Sequence, residues 1–312
     1  MLELKNEKVT EKYIPLGALD LPMLIGVVRN KLKFLTISFI LILTSLFIYV
    51  FSLPSIYQSE VKVIPSQSTN TDSLSGISSQ LGGIASIAGF ALGNPEINSV
   101  DIALEVLKSK KFLIEFINKN NLKPVLMASM FFDEKSDELI LNNKMFDGNA
   151  WLNNSNGETL EPSDLATYDR FVSENLTILR DPKSRVISIV ISHFSPVVTQ
   201  KISTELIDKI NAEMKNSDIK DAKLAIEYLK TELELTKVED SKKIFFSLIE
   251  SQYQKLMIAK AKPEYVFKVL DPAMRPEEPI KPKRIILLIV SFFVAFILSI
   301  VLTFFHYLIL KR

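Results

Sequence analysis

The chain is 312 residues long, 47% hydrophobic, and carries 37 basic against 36 acidic residues. That balance lacks the basic excess of a nucleic-acid-binding surface, so no nucleic acid is expected as a partner. With no cysteine and only two histidines, His193 and His306, the sequence excludes disulfides, thiolate sites, a cysteine nucleophile and a multi-histidine metal centre.

Residues 1–33 read as a short N-terminal arm. Residues 34–53 (FLTISFILILTSLFIYVFSL) then carry no charge, no Gly and no Pro, over the length a helix needs to cross a bilayer. The run is longer than a signal-peptide core and no small-residue cleavage site follows it, so a retained anchor is expected. A second uncharged run, residues 285–310, precedes Lys311 and Arg312. Two spans put both termini on one side of the membrane. Arg29, Lys31 and Lys33 before the first span, with Lys311 and Arg312 after the second, favour the cytoplasm for that side. Ser291, Ala295, Ser299 and Thr303 recur every four residues of the second span, a small-residue stripe of the kind that lets membrane helices approach closely. Ser38, Ser45 and Ser52 form a comparable row in the first.

Residues 54–284 form the domain between the spans. Residues 56–64 partly alternate apolar and polar, as a strand does. Residues 66–99 hold five of the nine glycines and read as a polar loop followed by a small-residue packed segment. Residues 100–107 and 111–120 read as helices. Ile102, Val106 and Leu107 share one face, Phe112, Phe116 and Ile117 another, and Asn98 or Ser99 is the expected first cap. Pro162-Ser163-Asp164 opens a further helical stretch to about Ser173. Residues 176–179 and 186–192 are rich in β-branched side chains around Asp181-Pro182-Lys183-Ser184, which predicts a β-hairpin.

From residue 197 to 262 there is no Gly or Pro, and Val198, Ile202, Leu206, Ile210 and Met214 recur every four residues. Leu224, Tyr228, Leu229 and Leu233 follow, then Leu248, Ile249, Tyr253 and Leu256. This predicts one very long helix over about 197–238, a break near 239–241, and a shorter partner helix. A helix that long would leave the core, and its apolar face would need a neighbouring copy of the chain. Residues 265–270 read as a returning strand. Residues 271–284 then contain Pro272, Pro276, Pro279 and Pro282, a stiff extended connector expected to act as a spacer before the second span.

No phosphate-binding loop and no H-E-x-x-H metalloprotease or G-x-S-x-G hydrolase motif occurs. Asp133, Glu134, Asp137 and Glu138 are acidic but lack calcium-loop spacing and read as a solvated loop. No enzymatic activity and no cofactor is expected. The fold class expected is α+β: a small mixed sheet base with a very long protruding helix of coiled-coil type, between two transmembrane helices.

The assembled pattern resembles the chain length determinant (Wzz-type) family of polysaccharide co-polymerases. The resemblance is carried by residues 25–33 (IGVVRNKLK) before the first span, Ser59 to Ile64, and residues 101–116 around Ser109-Lys110. Further on it is carried by residues 181–190, the His193-Phe194-Ser195-Pro196 junction, residues 248–260 (LIESQYQKLMIAK), residues 264–273 (EYVFKVLDPA) and the connector from Pro276. It implies a bacterial inner-membrane protein with cytoplasmic termini and a periplasmic domain, assembled as a ring-like homo-oligomer. It further implies that the protein sets the modal length of O-antigen or a similar lipopolysaccharide glycan without catalysing its synthesis. Its partners would be an integral-membrane polymerase and the lipid-linked glycan. Only Lys311 and Arg312 follow the second span, so the resemblance is to the branch without a fused kinase. The competing reading is a two-span periplasmic sensor or scaffold protein that signals through a partner.

Overall fold

The computed structural model describes residues 31–66 and 95–310. The arm up to residue 30, the glycine-rich expectation over residues 67–94, and Lys311 and Arg312 fall outside them. The chain divides into two compact units, Pro54–Lys281 and the two end segments.

The central unit is built on a four-stranded sheet in the order β4-β5-β1-β6. These strands are β1 (Tyr57–Pro65), β4 (Leu176–Arg180), β5 (Ile187–His193) and β6 (Phe267–Asp271). Helices α2 (Pro95–Lys108), α3 (Lys110–Lys119) and α4 (Leu122–Met127) follow β1. A two-stranded hairpin, β2 (Ser129–Asp133) with β3 (Glu138–Leu141), comes next. Helix α5 (Asp164–Arg170) and one π turn, Phe171–Asn175, lead into β4. After β5 come the long helix α6 (Pro196–Leu235) and its partner α7 (Glu239–Ala261).

The α+β class holds, but the sheet is antiparallel throughout, not mixed: β1 runs antiparallel to both β5 and β6, and β4 to β5. The path of α6 explains this. The helix doubles back across the sheet from the end of β5, and β6 then runs back along α6. That makes β6 parallel to β5, but β1 lies between them, so no parallel pair forms.

The inner face is formed by Val61 and Val63 of β1 opposite Ile189 and Ile187 of β5, all at most 2% exposed. Phe116, Phe171, Phe267, Leu206 and Ile210 fill the space against it. At about 25 cal/mol for each Å² of apolar surface removed from water, this cluster is the main stabilising element of the unit.

Two helix-face expectations change. Helix α2 begins at Pro95, so residues 98 and 99 lie inside it rather than at its start. Its buried face is Val100, Ala103, Leu104 and Leu107, while Ile102 is 48% exposed. The buried set follows the i, i+3, i+4, i+7 rule, and Ile102 lies off that row. Ser109 caps α3 and Ser163 caps α5, each accepting a backbone N–H.

The second unit is a helix pair, α1 (Leu32–Ser52) and α8 (Arg284–Leu310). Both are long and apolar enough to cross a membrane. Phe34 stacks on His306 with ring centroids 4.1 Å apart, Phe39 meets Phe292 edge-on at 5.5 Å, and Arg284 lies over Phe51 at 5.7 Å. This order of contacts makes the pair antiparallel.

Candidate functional site

Among the described residues no group of metal-ligating side chains occurs. The distinctive feature of the central unit is the α6–α7 hairpin and the way its base is fixed. His193 ends β5, and its Nε2–H donates to the Val125 carbonyl at 2.9 Å, while Nδ1 accepts the Ser195 N–H at 3.1 Å. Burial depresses its pKa to about 4, with nearby Arg170 lowering it further and the Val125 bond opposing. The ring is therefore neutral, and both nitrogens are used to set the turn. Ser195 then caps α6 through the Val198 N–H, and Pro196 takes the first helical position, where a missing N–H costs nothing.

Helix α6 is 40 residues long, about 60 Å at 1.5 Å per residue. Its first half lies on the sheet, with Ile202, Leu206, Ile207 and Ile210 at most 2% exposed. The rhythm from Val198 to Met214 thus faces the core, with its two end members packed at the margin. Asn211, beside this row, receives the Val266 and Phe267 N–H groups on Oδ1 (3.0 and 2.9 Å) and donates Nδ2–H to the Phe267 carbonyl (2.8 Å). One side chain thereby pins the start of β6.

The second half packs on α7. The buried seam is Ala222, Ile226 and Leu256, with Ile219 beside it. Leu224 and Tyr228, expected on this face, are 54% and 64% exposed. Along α6 the positions turned inward are Ile219, Ala222, Ile226, Leu229 and Leu233, an alternation of three and four, as in a coiled coil. A strict four-residue row drifts off such a seam. Asp218 ties the base of the hairpin together: Lys255 of α7 lies 2.7 Å from its carboxylate, and the Tyr265 hydroxyl donates to it at 2.6 Å. Burial first, then the Asp218 carboxylate, raises the Tyr265 phenol well above the ordinary tyrosine range. Lys215 donates to the Lys260 and Lys262 carbonyls, a cation at the negative, C-terminal end of α7. The helix break falls at residues 236–238, slightly before the expected position.

The prolines of the connector fall on an extended segment. Pro272 and Pro279 are exposed, while Pro276 and Pro282 are half-buried. The segment is fastened to the domain. Ser59 Oγ–H donates to the Met274 carbonyl at 2.8 Å and Gln200 to the Ala273 carbonyl at 3.2 Å. Ile56 exchanges hydrogen bonds with Lys281 and Ile280 at 2.8 and 2.9 Å, so the chain enters and leaves the domain at one point. Arg275 pairs with Asp137, and the Tyr57 hydroxyl donates to Glu134 at 2.6 Å. The acidic loop is therefore the turn of the β2–β3 hairpin, fastened by two of its carboxylates. Sequence reasoning missed this hairpin and Asn211. The one signal for Asn211 was a polar residue four positions after Ile207 on an otherwise apolar row.

In the helix pair, Ala295, Ser299 and Thr303 are fully buried and Ser291 is 8% exposed. Their hydroxyls donate to carbonyls of their own helix at 2.7–2.8 Å, leaving a smooth face. Ser45 and Ser52 of α1 are exposed, and Ser38 is half-buried.

These features define a class: an α+β domain with a long helical hairpin, bracketed by two apolar helices. Residues 17–120 match the family model described as chain length determinant protein (Wzz). Residues 229–308 match the GNVR model, a G-rich domain described on tyrosine kinase; in this chain they cover the end of α6, α7, β6, the connector and most of α8. The chain therefore matches these two family models over separate parts, one toward each end. No curated protein sequence matches it. Among solved structures it is similar to a full-length bacterial polysaccharide co-polymerase, at 12% identity and TM-score 0.42 over 94% of this chain and 99% of that one. It is also similar to a fragment of WzzB, a polysaccharide co-polymerase from Salmonella Typhimurium, at 14% identity and TM-score 0.33 over 73% of this chain and 100% of that one.

Proposed function

We propose that this protein regulates the modal chain length of a surface polysaccharide, O-antigen or a similar lipopolysaccharide glycan, as a non-catalytic, oligomeric co-polymerase. In this reading it acts with an integral-membrane polymerase on a lipid-linked glycan. It sits in the bacterial inner membrane with both termini cytoplasmic and the 54–284 region periplasmic. The observation that carries the reading is the chain length determinant match over residues 17–120. The basic residues outside each span support the orientation. The small-residue stripe from Ser291 to Thr303 serves as the packing face of the second span, and the proline connector as the link between domain and span.

The test is the surface polysaccharide of a strain lacking the gene, run on a gel. The expected result is a ladder that loses its modal cluster and recovers it on complementation. A ladder unchanged by the deletion overturns the reading.

A further inference from the structure

A cavity of about 410 Å³ opens beside α3 and α4, apart from the helical hairpin. Its volume lies within the range of small-ligand sites. It is bounded by the loop that carries Phe146, Asn149 and Trp151, by Asn121 and Lys123 at the start of α4, and by Glu161. We propose that this cavity binds an uncharged pyranose unit of a glycan. The proposal rests on the chain-length reading for the source of that glycan; its chemistry comes from the cavity itself.

The aromatic wall is preset. Trp151 is half-buried and stands against Phe146, ring centroids 5.2 Å apart at 63°, and Phe146 is itself buried at 7%. Residues 146 and 151 form a bridge that closes a tight turn. Asp147 Oδ1 accepts the Asn149 and Ala150 N–H groups at 2.8 and 2.7 Å, so the turn is held without help from the Asn149 side chain. Trp151 lines the cavity, and an indole there offers a flat apolar platform, which suits the C–H face of a sugar ring.

Three amides line the cavity, and Asn118 Nδ2–H is already given to Asp164 at 3.2 Å. The Asn121 and Asn149 side chains make no hydrogen bond among the described residues. Each carries an acceptor and two donors, the complement of adjacent hydroxyls that both donate and accept. Asn121 is also fixed in place, at φ 49, immediately before α4.

The charged wall selects against anions. Lys123 lies 2.8 Å from both Glu161 and Asp164. Burial would lower its pKa, but the two carboxylates more than offset this and hold it above the ordinary value. Of these, Lys123 and Glu161 line the cavity, and the ammonium is already paired with two carboxylates, so the wall offers no free cation to a uronate or phosphate and leaves hydroxyls as the groups it can accept from or donate to.

Trp151 is the only tryptophan of the chain, so its fluorescence reports on this cavity alone. The full chain in detergent is titrated with maltotriose, chitotriose and trigalacturonate. The expected result is a saturable shift with a neutral trisaccharide and none with trigalacturonate. Asn121→Gly keeps the left-handed backbone and removes one amide; Asn149→Ala removes the other. Each is expected to weaken binding about tenfold, the loss of one to two neutral hydrogen bonds, with unchanged circular dichroism. The cavity proposal is overturned by no saturable shift with either neutral sugar, by equal or tighter binding of trigalacturonate, or by unchanged affinity in both variants. An unaltered ladder in the deletion strain overturns the chain-length reading instead, whatever the titration gives. A changed ladder without a fluorescence shift overturns the cavity alone.

Discussion

The two halves of α6 belong to one unbroken helix but are held by different physics. In the first half, four large aliphatic side chains are sealed against the sheet, and Lys209 reaches Glu115 of α3 at 2.6 Å. In the second, only Ala222 and Ile226 are buried. Beside the half-buried Ile219, Leu229 and Leu233, the links to α7 and the segment after it are polar: Asp218 with Lys255, Lys215 with two carbonyls, and Lys230 with the Tyr253 hydroxyl at 3.2 Å. Exposed pairs of this kind contribute about 0–1 kcal/mol each, whereas a sealed aliphatic side chain contributes several. Helical stability in water comes mostly from packing, so the second half should open more easily than the first while sharing its backbone.

The comparison is broken most sharply in the first half. Leu206→Ala is expected to cost about 3 kcal/mol, within the usual range for a fully buried leucine. That corresponds to a fall of roughly 6–12 °C in the thermal midpoint of a unit this size, followed by circular dichroism of the full chain in detergent. A fall of only a degree or two would mean that the sheet face of α6 does not carry the stability assigned to it. Asn211→Leu comes next, at about 2–3 kcal/mol, because it strands two buried N–H groups and a carbonyl of nearly matching shape and burial. Asn211→Asp should recover only part of this loss, since a carboxylate can accept both N–H groups but cannot donate to Phe267.

The His193 turn gives a smaller, pH-dependent effect. The ring is neutral when folded, with its pKa depressed to about 4, whereas an unfolded histidine titrates near 6.5. Its contribution is therefore complete above pH 6.5 and is lost as the pH falls from 6.5 toward 4, by about 1.4 kcal/mol per pH unit. The carboxylates held low by hydrogen bonds, Asp133 and Asp181 among them, add their losses only below their ordinary range. Denaturant midpoints measured between pH 7.5 and 4.5 should show this slope in the native chain. His193→Gln keeps a donor and an acceptor without a titrating group and should flatten it; an equal slope in the variant would assign it to other groups.

Much of this contrast was legible in the sequence. The β4–β5 hairpin stood out because its β-branched runs flank a turn, and the first half of α6 because its apolar row meets one continuous surface. The second half was misjudged at Leu224 and Tyr228, where a four-residue row was extended into a region whose seam alternates three and four. The β2–β3 hairpin left little pattern: its strands are five and four residues long, and its turn is charged. What fastens it, Arg275 to Asp137 and Tyr57 to Glu134, joins residues 138 and 77 positions apart, a separation that no local rhythm encodes. The cavity beside Trp151 was hidden for the same reason, since its lining comes from three segments with no common spacing.

The mildest change sharpens the comparison most. Ile226 is 6% exposed and sits in a cluster with Ala222 and Leu256. Ile226→Ala should cost only about 1 kcal/mol, below the usual range for a buried isoleucine, because a two-helix seam can close over the gap or admit water. The effect should also be local. If the hairpin opens as its own unit, amide hydrogen exchange rises about fivefold over residues 215–261, while amides of β1 and β5 keep their native rates. Leu206→Ala should instead raise exchange in both regions together. Equal acceleration of strand and hairpin amides in Ile226→Ala would mean that α6 transmits the loss along its whole length. The two halves would then form one cooperative unit in spite of their different packing.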